Sequence, residues 1–333
     1  SVVNGPNGPV QGQIFILDQE AEGGLSGIQV MRYDGTAVTL TEADIKTTNI
    51  TSRDIDRQAF PHYFLKEINE APASVEKTLL NRWKISDKDP DLKQVTLDES
   101  TFPPLLKAAF ERGDIRRIFL VGQGTAGIAA IACADVIRYY LNAPLLTVNA
   151  LKASELSGFL LEVSDTPSAL SDALVIAISQ SGTTTDTNRA VDMVRERGAR
   201  TLAIVNRRDS DLTFKVDGVM YTSSGRDIEM SVASTKAFYS QIVAGILIGL
   251  QIAEVADRRS DQFISDEIEQ LMQLPDMMRR VIGLNDAIAE SARRLATAKT
   301  YWAAVGSGPN KAAADEIRIK LSELCYKTIS SDY

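Results

Sequence analysis

The run Ala173-Leu174-Val175-Ile176-Ala177-Ile178 constrains this chain more than any other feature. A strand with one wet face would place a polar residue at every second position. An unbroken apolar run of this length implies cover on both faces, as in a parallel sheet. Ile118–Val121, Leu145–Val148 and residues 201–205 and 218–222 read the same way. Helical stretches separate them: one at 103–112, a long one running through Tyr140, and one ending near Arg197, where Gly198 is placed to cap it. Strand and helix alternation predicts an α/β fold with a doubly wound parallel sheet. Ligands of such sheets bind outside the carboxyl ends of the strands.

The flanks differ. Residues 10–60 read as short strands and turns, among them Gln13–Leu17, Ile28–Tyr33 and the turn signal Asp34-Gly35. Residues 61–83 are helical, punctuated by Pro61 and Pro72. Residues 235–298 predict two or three helices. The pattern then restarts with the strand Tyr301–Val305, the turn Gly306-Ser307-Gly308 and a helix over 310–326, echoing Ile118–Gly124 and its helix. The expected organisation is a β-rich segment over 1–60, a first domain with its leading helix over 61–257, and connecting helices with the start of a second, truncated copy over 258–333. A complete second copy needs roughly 100 further residues, so the chain is expected to be part of a longer one.

A formal net charge of −8 argues against nucleic acid as the main partner, because a phosphate backbone needs a basic face. A small anion needs only a local cluster of donors. Cys133 and Cys325 lie far apart without metal spacing, which suggests a reducing, cytoplasmic setting. His62 is the single histidine, so no histidine metal cluster forms and a Ser-His-Asp triad has one possible base. No apolar run is expected to reach membrane-spanning length and no signal peptide opens the chain, so no membrane partner is expected.

Four motifs carry candidate chemistry. Gly122-Gln123-Gly124-Thr125-Ala126-Gly127 fits the dinucleotide pattern G-x-G-x-x-G, but the next strand ends Val148-Asn149-Ala150, without the carboxylate that holds a ribose. A nicotinamide site, a mere tight turn, and a phosphate or sugar contact all remain open. Ser179-Gln180-Ser181-Gly182-Thr183-Thr184-Thr185-Asp186-Thr187 places six hydroxyls and a glycine where the 173–178 strand enters a helix. Unpaired N–H groups and the helix dipole there, with hydroxyl donors beside them, can hold a phosphate without lysine. Any one hydroxyl is better read as a cap; six together are not. Ser231-Val232-Ala233-Ser234-Thr235-Lys236 opens another helix and alone reads as a capping signal. Glu316, Lys320 and Glu323 share one helix face. That is either a solvated stripe or a carboxylate base beside a cation, suited to moving a proton next to a sugar carbonyl.

Together these motifs resemble the isomerase part of the glutamine–fructose-6-phosphate aminotransferases (glucosamine-6-phosphate synthases), which is built from two SIS (sugar isomerase) domains. The resemblance rests on residues 61–72, from Pro61-His62-Tyr63-Phe64 to Ala71-Pro72, on Ser179–Thr187, on Val232–Phe238, and more loosely on Gly306–Tyr326. It covers the chain from about residue 50 onward. It implies conversion of fructose 6-phosphate to glucosamine 6-phosphate with ammonia released from glutamine, no metal or organic cofactor, a glutaminase domain in the parent chain, and a homodimer. By position, Ser179, Gln180, Ser181 and Thr184 resemble phosphate ligands. Thr125, Val232 and Ser234 resemble further sugar-phosphate contacts. Glu323 matches the glutamate that shifts a proton between C1 and C2, and Lys320 matches its neighbouring lysine.

The departures are specific. Gln123 stands where the family usually has cysteine, and Ala126 where it has serine, so one sugar hydrogen bond is missing or replaced. Gly225–Ser231 reads as longer than the family norm, and residues 10–50 match poorly. The family's ring-opening histidine and Schiff-base lysine lie beyond residue 333, so this stretch alone is expected to bind sugar phosphate weakly and without turnover. His62 is not that histidine. The alternatives are a SIS isomerase or deglycase without amination, and a non-catalytic sugar-phosphate sensor.

Overall fold

The computed structural model describes residues 2–5, 8–45, 55–161, 166–225 and 227–333, with side chains from Gly12 onward. It divides into two units, Ser1–Ile50 and Thr51–Tyr333. In the first, β1 (Val2–Gly5) and β2 (Gly8–Gln11) form a hairpin. β3 (Gln13–Leu17), β4 (Ile28–Arg32) and β5 (Ala37–Val38) form an antiparallel sheet. Gly35 turns between β4 and β5 at φ +83°, as the Asp-Gly signal predicts.

The second unit opens with α1 (Tyr63–Leu79). His62 caps it, its Nδ1 accepting the Leu65 N–H at 3.3 Å. Pro72, read from sequence as punctuation, lies inside this helix and is buried. Packing of α1 against two later helices outweighs the backbone bond that proline forfeits. A short hairpin, β6 (Trp83–Ile85) with β7 (Lys93–Val95), leads to α2 (Pro104–Glu111). The sheet then builds through β8 (Arg117–Gly122), α3 (Thr125–Leu141), β9 (Thr147–Lys152), a single turn α4 (Ala153–Glu155), β10 (Ala173–Ser179), α5 (Thr185–Arg195), β11 (Arg200–Val205) and β12 (Gly218–Tyr221). Gly198 follows α5 at φ +84°.

The strand order is β12-β11-β10-β8-β9, and every neighbouring pair is parallel. The chain runs from β8 outward to β9, then returns past β8 to β10. The switch point therefore lies between β8 and β10. All seven residues of β10 are buried, and successive side chains alternate between two cores. Leu174, Ile176 and Ile178 join a large cluster with α3, α6 (Lys236–Val255) and α7 (Asp261–Ile282). Ala173 and Val175 face a smaller cluster with Ala190 and Val194 of α5. This two-sided cover is the reason the run tolerates no polar residue.

α6 is long and apolar enough, by length and composition, to cross a membrane. Here it is a core helix packed against α1 and α3, with most of its residues buried. After α8 (Asn285–Leu295) come β13 (Trp302–Val305), α9 (Asn310–Cys325) and β14 (Ile329–Asp332). β14 pairs parallel with β13, so the restart completes a β-α-β unit, one strand more than its sequence pattern announced. The echo is also steric. A Cβ on Gly122 would sit 2.5 Å from Ala126 O, and one on Gly306 would sit 2.2 Å from Asn310 O. Each glycine lets a helix start directly over the strand end.

Candidate functional site

A cavity of about 210 Å³ opens at the β8/β10 switch point. Gln123, Thr125 and Ala126 line it from the turn after β8, and Ser179, Gln180, Ser181, Thr184 and Thr187 from the turn after β10. Val232, Ser234 and Gln241 contribute from the start of α6, and Glu323 from α9. Eight of the nine candidates chosen from sequence thus share one cavity. The ninth, Lys320, stands behind the wall.

The hydrogen bonds decide which groups can donate to an anion. Ser179 Oγ accepts the Gly182 N–H at 3.0 Å and lies 3.4 Å from Thr184 Oγ1. Ser181 Oγ accepts from Thr183 twice, from the N–H at 3.2 Å and the hydroxyl at 3.0 Å, which leaves its own proton to give. The N–H groups of Thr185, Asp186 and Thr187 precede the first bond of α5, Asn188 N–H to Thr184 O at 3.0 Å. Among the described residues, the only charged one lining the cavity is Glu323, at the exposed rim. An anion here is met by O–H and N–H donors and the positive end of α5, not by a cation.

Thr125 and Ser234 behave differently. Lys320 Nζ donates to Thr125 Oγ1 at 2.7 Å, and Thr125 donates to Glu316 Oε1 at 3.2 Å. Ser234 donates to Glu229 Oε2 at 2.9 Å. Both hydroxyl protons are committed, so both side chains face the cavity as acceptors. Val232 is 98% exposed at the mouth, and what it offers a polar ligand is its backbone. Lys320 pairs with Glu316 at 2.8 Å, one turn away, rather than with Glu323.

Sequence reading missed what holds the third motif in place. Glu67 of α1, almost fully buried, accepts the N–H of Met230 at 2.6 Å, the N–H of Ser231 at 3.0 Å, and the Ser231 hydroxyl. Glu70 meets Lys236 at 2.7 Å and Lys66 at 3.1 Å. Residues 61–72 and 232–238 are therefore mechanically joined. Glu229 adds a second clamp: its Oε1 accepts the N–H groups of Thr235 at 2.7 Å and Ala237 at 3.0 Å, at the start of α6. Burial pushes the Glu229 carboxyl up and the nearby Glu67 adds to this, while the hydrogen bonds from Ala237, Thr235 and Ser234 oppose it.

A test of this clamp follows. Glu229→Ala strands three donors and should cost about 2–3 kcal/mol in chemical denaturation; Glu229→Gln should cost about 1 kcal/mol. A carboxyl raised on folding stabilises the fold below the ordinary carboxylate range, and that contribution is lost as pH rises through the raised value. Glu229→Gln should therefore flatten the decline of stability from acid to neutral pH. An unchanged profile would show that Glu229 does not titrate with folding.

Comparison with known proteins identifies one domain and a set of relatives. Residues 114–249 match the model of the SIS domain. This chain carries a SIS domain. The matched residues span β8 to α6 and include both turns and the loop that line the cavity. The glutamine–fructose-6-phosphate aminotransferase [isomerizing] of Streptomyces coelicolor is 32% identical over 311 residues, covering 93% of this chain and 46% of that protein. The Mycobacterium tuberculosis enzyme of the same name is 31% identical over 302 residues, covering 90% and 45%. The chain thus spans about half the length of these relatives. Among solved structures, the C-terminal domain of glucosamine-fructose-6-phosphate aminotransferase from Francisella tularensis superposes with a TM-score of 0.70 at 28% identity, covering 84% of this chain and 71% of that one. Tagatose-6-phosphate ketose/aldose isomerase from Escherichia coli shares the fold, with a TM-score of 0.57 at 15% identity. The similarity to these aminotransferases therefore extends beyond residues 114–249 to most of this chain.

Proposed function

We propose that this region binds a hexose 6-phosphate in the switch-point cavity and serves as the isomerase part of a glutamine–fructose-6-phosphate aminotransferase. The observation that carries the reading is the convergence of three separate sequence motifs and α9 on one small polar cavity. The phosphate sits against Ser179, Gln180, Ser181 and Thr184, where the free donors are. Thr125 and Ser234 accept from sugar hydroxyls, and Val232 contributes its backbone. Glu323 is the base that carries a proton between C1 and C2 of the sugar, a role suited to a carboxylate reaching the cavity from its rim. Lys320 acts through Thr125 and Glu316 and is a positioning residue.

In this reading the parent enzyme receives ammonia from a glutaminase domain, works as a homodimer and is cytoplasmic. Names and coverage of the relatives support the aminotransferase part of this reading.

Titration calorimetry with fructose 6-phosphate tests it directly. The wild-type chain should bind, and Ser181→Ala should weaken binding about fivefold or more, the loss of one hydroxyl donor to the ligand worth about 1 kcal/mol. Absence of binding by the wild type, or full affinity in Ser181→Ala, would remove the phosphate assignment.

A further inference from the structure

Among the described residues, eight buried side-chain nitrogen and oxygen atoms have no hydrogen-bond partner, and four of them belong to residues lining the cavity. They are Gln123 Oε1, Thr187 Oγ1, and both Oε1 and Nε2 of Gln241. Gln241 is the extreme case. It lies in the second turn of α6 and is only 1% exposed. Its backbone carbonyl faces Cys133 Sγ at 3.7 Å, but none of the described residues hydrogen-bonds to its carboxamide.

A buried carboxamide with neither atom paired is costly, and an apolar side chain would avoid the cost. The surrounding buried positions of α6 are filled that way, by Phe238, Val243, Ala244 and Leu247, and Ser240 has a partner in Ser74 at 2.8 Å. Polarity at 241 is therefore not a packing solution. It fits a partner that enters the cavity.

The chemistry of that partner follows from the amide. Nε2 donates and Oε1 accepts. A dianionic phosphate offers acceptors only, so Oε1 would face it unpaired and repelled. A sugar hydroxyl both donates and accepts, and two adjacent hydroxyls satisfy the whole amide. We propose that Gln241 contacts the hydroxylated carbon chain of the bound phosphosugar, not its phosphate, and so contributes to discrimination among phosphorylated ligands. This rests on the sugar-phosphate reading of the cavity and adds a residue to it.

The experiment compares fructose 6-phosphate with inorganic phosphate on the full chain, by calorimetry and thermal shift, for the wild type and Gln241→Met. Affinity for fructose 6-phosphate should fall at least tenfold in Gln241→Met. Affinity for phosphate should change less than twofold, and melting without ligand should not drop, because the amide has no partner in the protein to lose. If the wild type binds fructose 6-phosphate and the variant binds it within twofold of that, the proposal fails while the site reading stands. An equal loss for both ligands would show that Gln241 only shapes the phosphate loop, and overturns it as well. If the wild type does not bind fructose 6-phosphate, both fall. Should the variant not fold, a crystal of the wild type with fructose 6-phosphate decides. A sugar oxygen within about 3.2 Å of the carboxamide supports the proposal; water alone there refutes it.

Discussion

Gly182→Ala should lower the stability of the chain by about 3 kcal/mol and its affinity for a phosphosugar at least tenfold. Gly182 adopts φ +67°, where an L side chain costs roughly 1–2 kcal/mol. Its added Cβ would stand 1.9 Å from Ser210 Oγ and 2.6 Å from Ser210 Cβ. Ser210 is buried and its hydroxyl bonds to Arg207 O at 3.0 Å, so it cannot swing away freely, and the forced shift adds about 1–2 kcal/mol more. The Gly182 carbonyl also accepts from Leu212 N–H at 3.0 Å and Asn188 Nδ2 at 3.1 Å, so a moved residue 182 drags the hydroxyl turn with it. Thermal melting should drop by about 5–10 °C. Gly113→Ala is the control: φ is +72° there as well, but no atom lies within 4 Å of the new Cβ. Only the backbone penalty remains, about 1 kcal/mol. Equal losses at the two positions would show that crowding at Ser210 is relieved at no cost.

The second large effect concerns Lys320. Its Nζ is 2.8 Å from Glu316 Oε1, the two side chains are 14% and 9% exposed, and Glu316 Oε2 has no partner. Removing one member of such a pair leaves a buried charge uncompensated, so Lys320→Met should cost about 3 kcal/mol or more. Removing both, in Glu316→Leu with Lys320→Met, should recover most of that loss, because two apolar chains of similar size need no solvation. Denaturant unfolding of the two single variants and the double variant measures the coupling. Additive losses would mean that the pair is solvated and Lys320 is free for another role. Phosphosugar affinity should fall in the single variant as well, since Thr125 loses the cation that orients it.

Both expectations show where sequence and structure part company. The central architecture was legible because β10 is apolar without interruption, and such a run has few places to go. The hydroxyl turn was legible for a related reason: six small polar side chains at a strand end exceed what capping needs. Pro72 misled, because local propensity cannot see the helices that pack over α1. The β6–β7 hairpin and β14 were missed; each is three or four residues long, below what alternation can reveal. The clamp at Glu67 was invisible, since a carboxylate that serves a loop some 160 positions away looks like any surface acid. Glu229, although only five to eight positions from its donors, sits in a loop whose path the sequence pattern does not give. Gln241 was hidden by its helix, where a glutamine carries no signal of its own. The spacing of Glu316, Lys320 and Glu323 was read correctly as one face. The direction in which the lysine turns, toward position 316, is set by the fold and not by that spacing.

One contact sets when the cavity can first form. Thr125 and Glu316 are 191 positions apart, yet their bond links the turn after β8 to α9, the helix that brings Glu323 to the rim. On a ribosome the central strands can associate while that helix is still unmade. The binding hollow consequently exists only once α9 has been made, and gain of ligand recognition reports a later event than formation of the sheet.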